Sequence, residues 1–285
     1  MISVLKRSKP FDQIVIFYCF ITGIYIILGQ HKLNHIAPHL LIRIVFIIIS
    51  ILFIKTNNVK NQKFIFLRNF YPLLMLIFFY SETDYYNNII FKNLDPYIIK
   101  LEYFVFGSQL SLKFSALISD KWFSELMHFG YFSYYLMAFG IPLLFYIKKP
   151  TDFPRIMFIT ICSFCLYYLL FFLFPSVGPQ FYFPKEQQVV PEGYFFQKVM
   201  DFIIKTAETE TGAFPSSHVG ISTLFIIVIF KHFKKFFLVL VLLSSLLFLS
   251  TVYIKAHYAI DVVAGIISGI LFYYLSKFIL NRYYP

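Results

Sequence analysis

The stretch KKFFLVLVLLSSLLFLSTVYIKAHYAID, residues 234–261, decides the fold class. A basic pair, Lys234 and Lys235, precedes an uncharged apolar run over 236–254, after which Lys255, His257 and Asp261 follow within a few residues. Crossing the hydrocarbon core of a bilayer takes about 20 mostly apolar residues in a helix, with about 17 sufficing. The stretch therefore reads as a span with a basic inner end and an outer end that carries ionisable groups.

The same test along the chain finds seven further stretches, near 13–30, 38–54, 64–81, 123–147, 155–174, 215–231 and 258–279. The third is the weakest, because Arg68 and Pro72 interrupt it. Of the 285 residues, 59% are apolar and 14% charged, against about 25% charged in a soluble domain. That surplus exceeds what one water-soluble core absorbs. An all-α polytopic membrane helix bundle of about eight transmembrane helices is expected.

The connecting segments test this reading independently, since short cytoplasmic loops carry an excess of Lys and Arg. With the N-terminus inside, the inner set is the N-terminal arm, 55–69, 148–155, 231–235 and the C-terminus. It holds 15 basic residues against Asp12 and Asp152, while the rest of the chain holds 10 basic and 12 acidic residues. Eight spans with both termini cytoplasmic fit that alternation, and losing the third span destroys it. The net charge of +11 is thus spread over loops rather than gathered on one wet face, which argues against nucleic acid as a partner. Lys6, Arg7 and Lys9 precede an apolar run from Ile14 to Gly29 with no small-residue cleavage site after it, so the run reads as a first span and not a removed signal peptide. Cys19, Cys162 and Cys165 fall inside apolar stretches and read as buried or lipid-facing thiols. No metal or cofactor is expected.

Two long segments then face outward. Residues 82–122 contain Asp95-Pro96 and a run of Ile98, Leu101 and Val105 that suits an interfacial helix lying on the membrane, the alternative being a plain connector. Residues 175–214 are rich in Pro, Gly and charge, and loops of that length tend to be functional. Three clusters converge on the outer face in this topology. Phe174-Pro175-Ser176-Val177-Gly178-Pro179-Gln180 ends the fifth span, Gly212-Ala213-Phe214-Pro215-Ser216-Ser217-His218 opens the sixth, and Ser250-Thr251-x5-His257-x3-Asp261 joins the last two. A helix start favours an anion such as phosphate through its unpaired N–H groups and dipole; Ser216 and Ser217 add hydroxyls, and His218 can give a proton. His257 and Asp261 share a helix face, a spacing at which a carboxylate can bond one ring nitrogen. That bond would fix the tautomer and leave the other nitrogen as base or nucleophile.

The motifs Pro215-Ser216-Ser217-His218 and Ser250-Thr251-x5-His257-x3-Asp261 resemble those of the type 2 phosphatidic acid phosphatase and vanadium haloperoxidase superfamily, which read P-S-G-H and S-R-x5-H-x3-D. The likeness runs over roughly 95–280. Within it, Phe174 to Gln180 and Ser250-Thr251-Val252-Tyr253 are more similar to the branch of inositol phosphorylceramide synthases and related bacterial lipid enzymes. The resemblance implies residues 1–94 as N-terminal spans and 95–285 as a membrane catalytic domain built on the last five spans. It makes His257 the nucleophile that forms a phosphohistidine, Asp261 its orienting partner, and His218 the acid for the leaving alcohol and then the base for water or a second alcohol. Ser216, Ser217 and the amides at 217 and 218 would hold phosphate oxygens.

Two family guanidiniums are absent: Thr251 replaces one, and Gln180 stands near where the other is expected. Lys255, Lys185 and Arg43 are the candidate substitutes, though a Lys is a point charge rather than a fork. The expected activity is that of an integral membrane lipid phosphatase or phosphotransferase at the extracytoplasmic face, with a lipid phosphate as substrate and water or a lipid alcohol as acceptor. The resemblance to bacterial enzymes suggests the bacterial inner membrane. The competing classes are a non-catalytic lipid-binding relative and a transporter. A transporter places its polar groups at mid-membrane, whereas here they lie at the outer edge.

Overall fold

The computed structural model describes residues 8–56 and 59–283; Lys6 and Arg7 of the basic N-terminal arm lie outside the described residues. Among those described, every regular element is helical. Three long helices come first: α1 Pro10–Leu28, α2 Ile36–Lys55 and α3 Gln62–Tyr86. Two short ones follow, α4 Asp95–Phe106 and α5 Leu110–Leu117, and then α6 Lys121–Lys148 and α7 Phe153–Leu173. The outer loop carries a single turn, α8 Pro179–Tyr182, and α9 Phe195–Ala207. The last three are α10 Ser217–His232, α11 Phe237–Tyr253 and α12 Ala259–Tyr283.

Each of the eight apolar stretches forms a helix, and seven of them are long and apolar enough to cross a membrane. The exception is the stretch expected at 215–231, whose helix α10 is only 16 residues. At a rise of 1.5 Å per residue it spans about 24 Å, short of the roughly 30 Å hydrocarbon thickness. A turn over 213–216 leads into it, and Ser216 caps its first turn. Helix α10 sits in the middle of the bundle, against α6, α7, α11 and α12, and Val219, Ile221, Leu224 and Phe225 are fully buried.

The weak third span is continuous through Pro72 as α3, and Arg68 lies inside it rather than in a connecting loop. The guanidinium meets the fully buried carboxylate of Asp12 on α1 in a two-pronged contact of 2.9 and 2.5 Å, and Tyr71 donates its hydroxyl to the same carboxylate at 2.8 Å. A lone guanidinium would be costly at that depth; the partner on the neighbouring helix is what lets this segment pack as a span.

Helix α4 departs in detail from the expected interfacial stripe. Ile98 is buried, while Leu101 and Val105 are exposed along with Tyr97 and Phe104. The buried face carries two carboxylates, Asp95 and Glu102, and both reach toward the site.

Close approach between α10 and α12 sets the position of both candidate histidines. A Cβ added at Gly269 would fall 2.4 Å from the Gly220 carbonyl oxygen, and one at Gly265 would fall 2.8 Å from the Ser216 carbonyl oxygen. Small residues four apart allow such backbone contact between membrane helices. The Ser216 amide donates to the Asp261 carbonyl at 3.2 Å, so the start of α10 is bonded to the first turn of α12. Gly269→Ala must push the two helix backbones apart, because the clash is with main chain and not with a flexible side chain. Overpacking of this kind costs about 1–3 kcal/mol. Thermal unfolding in detergent should show a lower midpoint for Gly269→Ala than for Gly140→Ala, since a Cβ at Gly140 meets nothing within 4 Å.

Candidate active site

His257 lies in the short connection between α11 and α12 and is almost fully buried. Its Nδ1 is 2.8 Å from the carbonyl oxygen of Ala213. Since a carbonyl only accepts, Nδ1 carries the proton and donates it, which leaves the Nε2 lone pair pointing the other way. Nε2 lies 3.3 Å from Nδ1 of His218, on the first turn of α10. With the Nε2 of His257 bare, the proton in that contact belongs to His218. Burial keeps the His257 ring neutral, pulling its pKa down from the ordinary 6.5 to about 4; the Ala213 carbonyl and the Glu208 carboxylate oppose that pull. The His218 ring is flanked by those of Tyr134 and Tyr131, with centroids at 4.3 and 4.9 Å.

The carboxylate expected to bond the His257 ring is close but otherwise engaged. Asp261 Oδ2 stands 3.5 Å from Nδ1 and accepts the Tyr258 amide at 2.8 Å. The hydrogen bond that selects the tautomer therefore comes from a backbone carbonyl, with Asp261 standing behind the ring at longer range. The i,i+4 spacing brings the residues together, but the amide N–H of Tyr258 competes for the oxygen.

Ala213 is held in turn by Ser176. The Ala213 amide donates to the Ser176 carbonyl at 3.2 Å, and the Phe214 amide to the Ser176 hydroxyl at 2.8 Å. Gly212 before it adopts φ +73°, a left-handed conformation that favours glycine. Gly178, at φ +83°, lies so near the Ala256 carbonyl that a Cβ there would approach to 2.8 Å, and the Gln180 amide donates to the Lys255 carbonyl at 2.9 Å. Asp95 of α4 ties the arrangement together. Its carboxylate accepts from the amides of Val177 and Gly178 at 2.8 and 2.9 Å and from the Tyr258 hydroxyl at 2.9 Å. Burial pushes its pKa up while these three donors pull it down. Glu102, one helical face along, accepts from the amides of Leu110 and Ile260. Neither acid stood out in the sequence beyond the Asp-Pro helix start.

The two histidines share a cavity of about 20 Å³ whose lining includes Tyr80, Tyr131, Gln180, Glu208, Thr211 and Ser217. That is room for a single water. Glu208 closes it: one carboxylate oxygen accepts the Tyr131 hydroxyl at 2.8 Å and the other the Gln180 side-chain amide at 2.6 Å. Nothing in the sequence pointed to Glu208, which with Glu210 lies just beyond α9.

Of the expected phosphate ligands, Ser217 and Gln180 line the cavity and the others do not. Ser216 is fully buried and its hydroxyl caps α10, accepting the Val219 amide at 3.4 Å. Lys255, in the left-handed region at φ +66°, turns its ammonium outward to the carbonyls of Gln187 and Val189 at 2.9 and 2.6 Å. It lines a separate outer cavity of about 430 Å³ together with Leu112, Ser115 and Pro191, and burial lowers its pKa. Arg43 is paired with Glu82 at 2.9 Å and donates to Thr22 at 2.9 Å. Lys185 is exposed on the outer loop, and Thr251 is buried with its hydroxyl on the Phe248 carbonyl. The three cysteines are buried free thiols, and among the described residues no group of three His, Cys, Asp or Glu side chains is placed to hold a metal ion.

No curated protein and no solved structure matches the chain significantly. A family model described as the PAP2 superfamily matches residues 97–275, well over half of the chain and all three clusters that meet at His257. This chain is a multi-pass membrane protein that belongs to the PAP2 superfamily.

Proposed function

We propose that the protein is an integral membrane lipid phosphatase or phosphotransferase that works through a phosphohistidine on His257. The observation that carries this is the tautomer of His257: Nδ1 is committed to the Ala213 carbonyl, so a bare Nε2 faces the cavity and the proton on His218. Membership of a phosphatase superfamily supports the class of reaction. The same proposal takes residues 95–285 as the catalytic unit and 1–94 as supporting spans. It sets both termini in the cytoplasm of a bacterial inner membrane and the site at the outer face, where the charge alternation puts it.

The step balances simply. His257 Nε2 attacks phosphorus, the bond from phosphorus to the leaving alcohol breaks, and His218, entering the step as an imidazolium with both ring nitrogens protonated, passes its Nδ1 proton to the departing oxygen. His218, now a base, takes a proton from water or from an acceptor alcohol, whose oxygen displaces the imidazole from phosphorus. Water releases the phosphate; a lipid alcohol yields a new phosphodiester. The outer-motif resemblance to inositol phosphorylceramide synthases favours the transfer outcome. The amides of Ser217 and His218, the Ser217 hydroxyl and the Gln180 amide are the proposed oxygen ligands.

In-line attack needs about 3 Å from Nε2 to phosphorus and another 3 Å from the leaving oxygen to its acid, so the two ring nitrogens must stand more than about 6 Å apart. At 3.3 Å the site is closed, and the substrate enters between the rings as they separate.

His257→Ala and His218→Ala should each lower turnover by about 10³-fold or more while leaving the unfolding midpoint within a few degrees of wild type. The assay is release of labelled phosphate or formation of new lipid, with and without ceramide or diacylglycerol. Full activity in either variant contradicts the mechanism. Because burial depresses the His257 pKa, the nucleophile stays neutral as the pH falls to about 4. The acid limb of kcat/KM should therefore show no loss from pH 7 to pH 5 and fall only below that; a loss with its midpoint near 6.5 would mean an exposed, ordinary histidine.

A further inference from the structure

The cavity that faces His257 has the wrong charge for a bare phosphate. Among the described residues no Lys or Arg lines it. Arg43 and Lys255 are committed to partners elsewhere, and the His257 ring is neutral with its Nδ1 protonated. The one formal charge in the lining is negative, Glu208, which is held rather than loose. It caps the C-terminal end of α9, and α9 is anchored at its other end by Glu125, whose carboxylate accepts from the amides of Tyr194, Phe195 and Phe196 at 2.7 to 2.8 Å. Met200 seats the middle of α9, fully buried. Tyr131 and Gln180 take one lone pair from each Glu208 oxygen, which leaves further acceptor capacity on both.

An anionic phosphoryl group brought beside a carboxylate, in a site shielded from water and with no Lys or Arg beside it, is repelled by that carboxylate. That repulsion is lifted if the substrate brings its own positive charge. Tyr80 and Tyr131 line the same cavity, and aromatic rings attract ammonium groups within about 6 Å.

We propose that Glu208 is a headgroup-selecting residue: it takes the ammonium of a zwitterionic phosphodiester lipid, with Tyr80 and Tyr131 beside it, so that the substrate supplies the cation the missing guanidiniums would have provided. The inference rests on the phosphohistidine reading and narrows its substrate class. In the reaction, the bond from phosphorus to diacylglycerol breaks, diacylglycerol leaves with the His218 proton, and the ammonium-bearing phosphoryl group stays on His257 until water or a lipid alcohol takes it.

The test uses the full chain in mixed micelles with a chelator present. It compares diacylglycerol release from phosphatidylethanolamine and phosphatidylcholine with release from phosphatidylglycerol and phosphatidic acid. Wild type should favour the two ammonium lipids by about tenfold or more in kcat/KM, and the isosteric Glu208→Gln should collapse that ratio toward one. The wild-type ranking requires no variant, so a folding defect in Glu208→Gln does not rescue the idea. Equal or better use of phosphatidylglycerol or phosphatidic acid by wild type overturns it and leaves the phosphohistidine reading standing. A uniform loss on all four lipids in Glu208→Gln overturns it too, as does a selectivity that appears only when magnesium ion is added. No release from any lipid by folded protein removes both readings together.

Discussion

The hydrogen bond from His257 Nδ1 to the Ala213 carbonyl, 2.8 Å long, is the constraint on which the site depends. A backbone acceptor cannot change protonation state, so it fixes the imidazole tautomer more firmly than a carboxylate that can itself take up a proton. The carbonyl is only as well placed as the turn that carries it. That turn needs Gly212 in the left-handed region, Ser176 bonded to the two amides after it, and the fifth-span loop pinned by the Asp95 carboxylate. Asp95 also holds the hydroxyl of Tyr258, the neighbour of His257. One buried acid on a short helix therefore fastens two of the three sequence clusters, and the Ser176 bonds fasten the third. In a network of this kind each bond supports the others, and removing one member costs more than its pairwise share.

The packing of α10 answers a second need. A helix start offers amides to an anion only if its first turn is not consumed by the protein. Here the Ser216 hydroxyl takes the Val219 amide and the Ser216 carbonyl takes that of Gly220, which ties the cap down. The glycine contacts with α12 hold it against Asp261. Ser216 and Ser217 at the start of α10 are buried within the bundle. The site that results is enclosed, neutral at His257 and closed by Glu208. Low polarity strengthens every charge interaction in such a place, which makes the lone carboxylate and the absent guanidiniums matter more than they would in water.

Much of this was legible in the residues alone. The eight apolar stretches became helices with ends within a few residues of those expected, because hydropathy over some twenty residues reports burial in lipid directly. The pairing of His218 with His257 was legible for a similar reason, since two histidines at the same ends of adjacent spans have few places to go. What failed to show were contacts that belong to the backbone or to distant sequence. Ala213 acts through its carbonyl, which any residue would supply. Arg68 looked like an interruption until Asp12 was found beside it. Lys255 sits two residues from the nucleophile, yet its left-handed backbone turns it to the carbonyls of 187 and 189. Ser216 reads equally as cap and as phosphate ligand, and the cap prevails. Glu208 and Asp95 act on residues far away in sequence, and no local pattern marks them.

The tautomer makes a claim about a single nitrogen, and a single nitrogen can be read. The most direct measurement is to quench the enzyme in alkali during turnover of a labelled lipid, isolate the modified peptide, and locate the phosphorus by mass spectrometry and phosphorus NMR. Phosphorus on Nε2 of His257 is the predicted result, since Nδ1 is occupied by its bond to Ala213. Phosphorus on Nδ1, on His218, or on no histidine at all while product forms would contradict it.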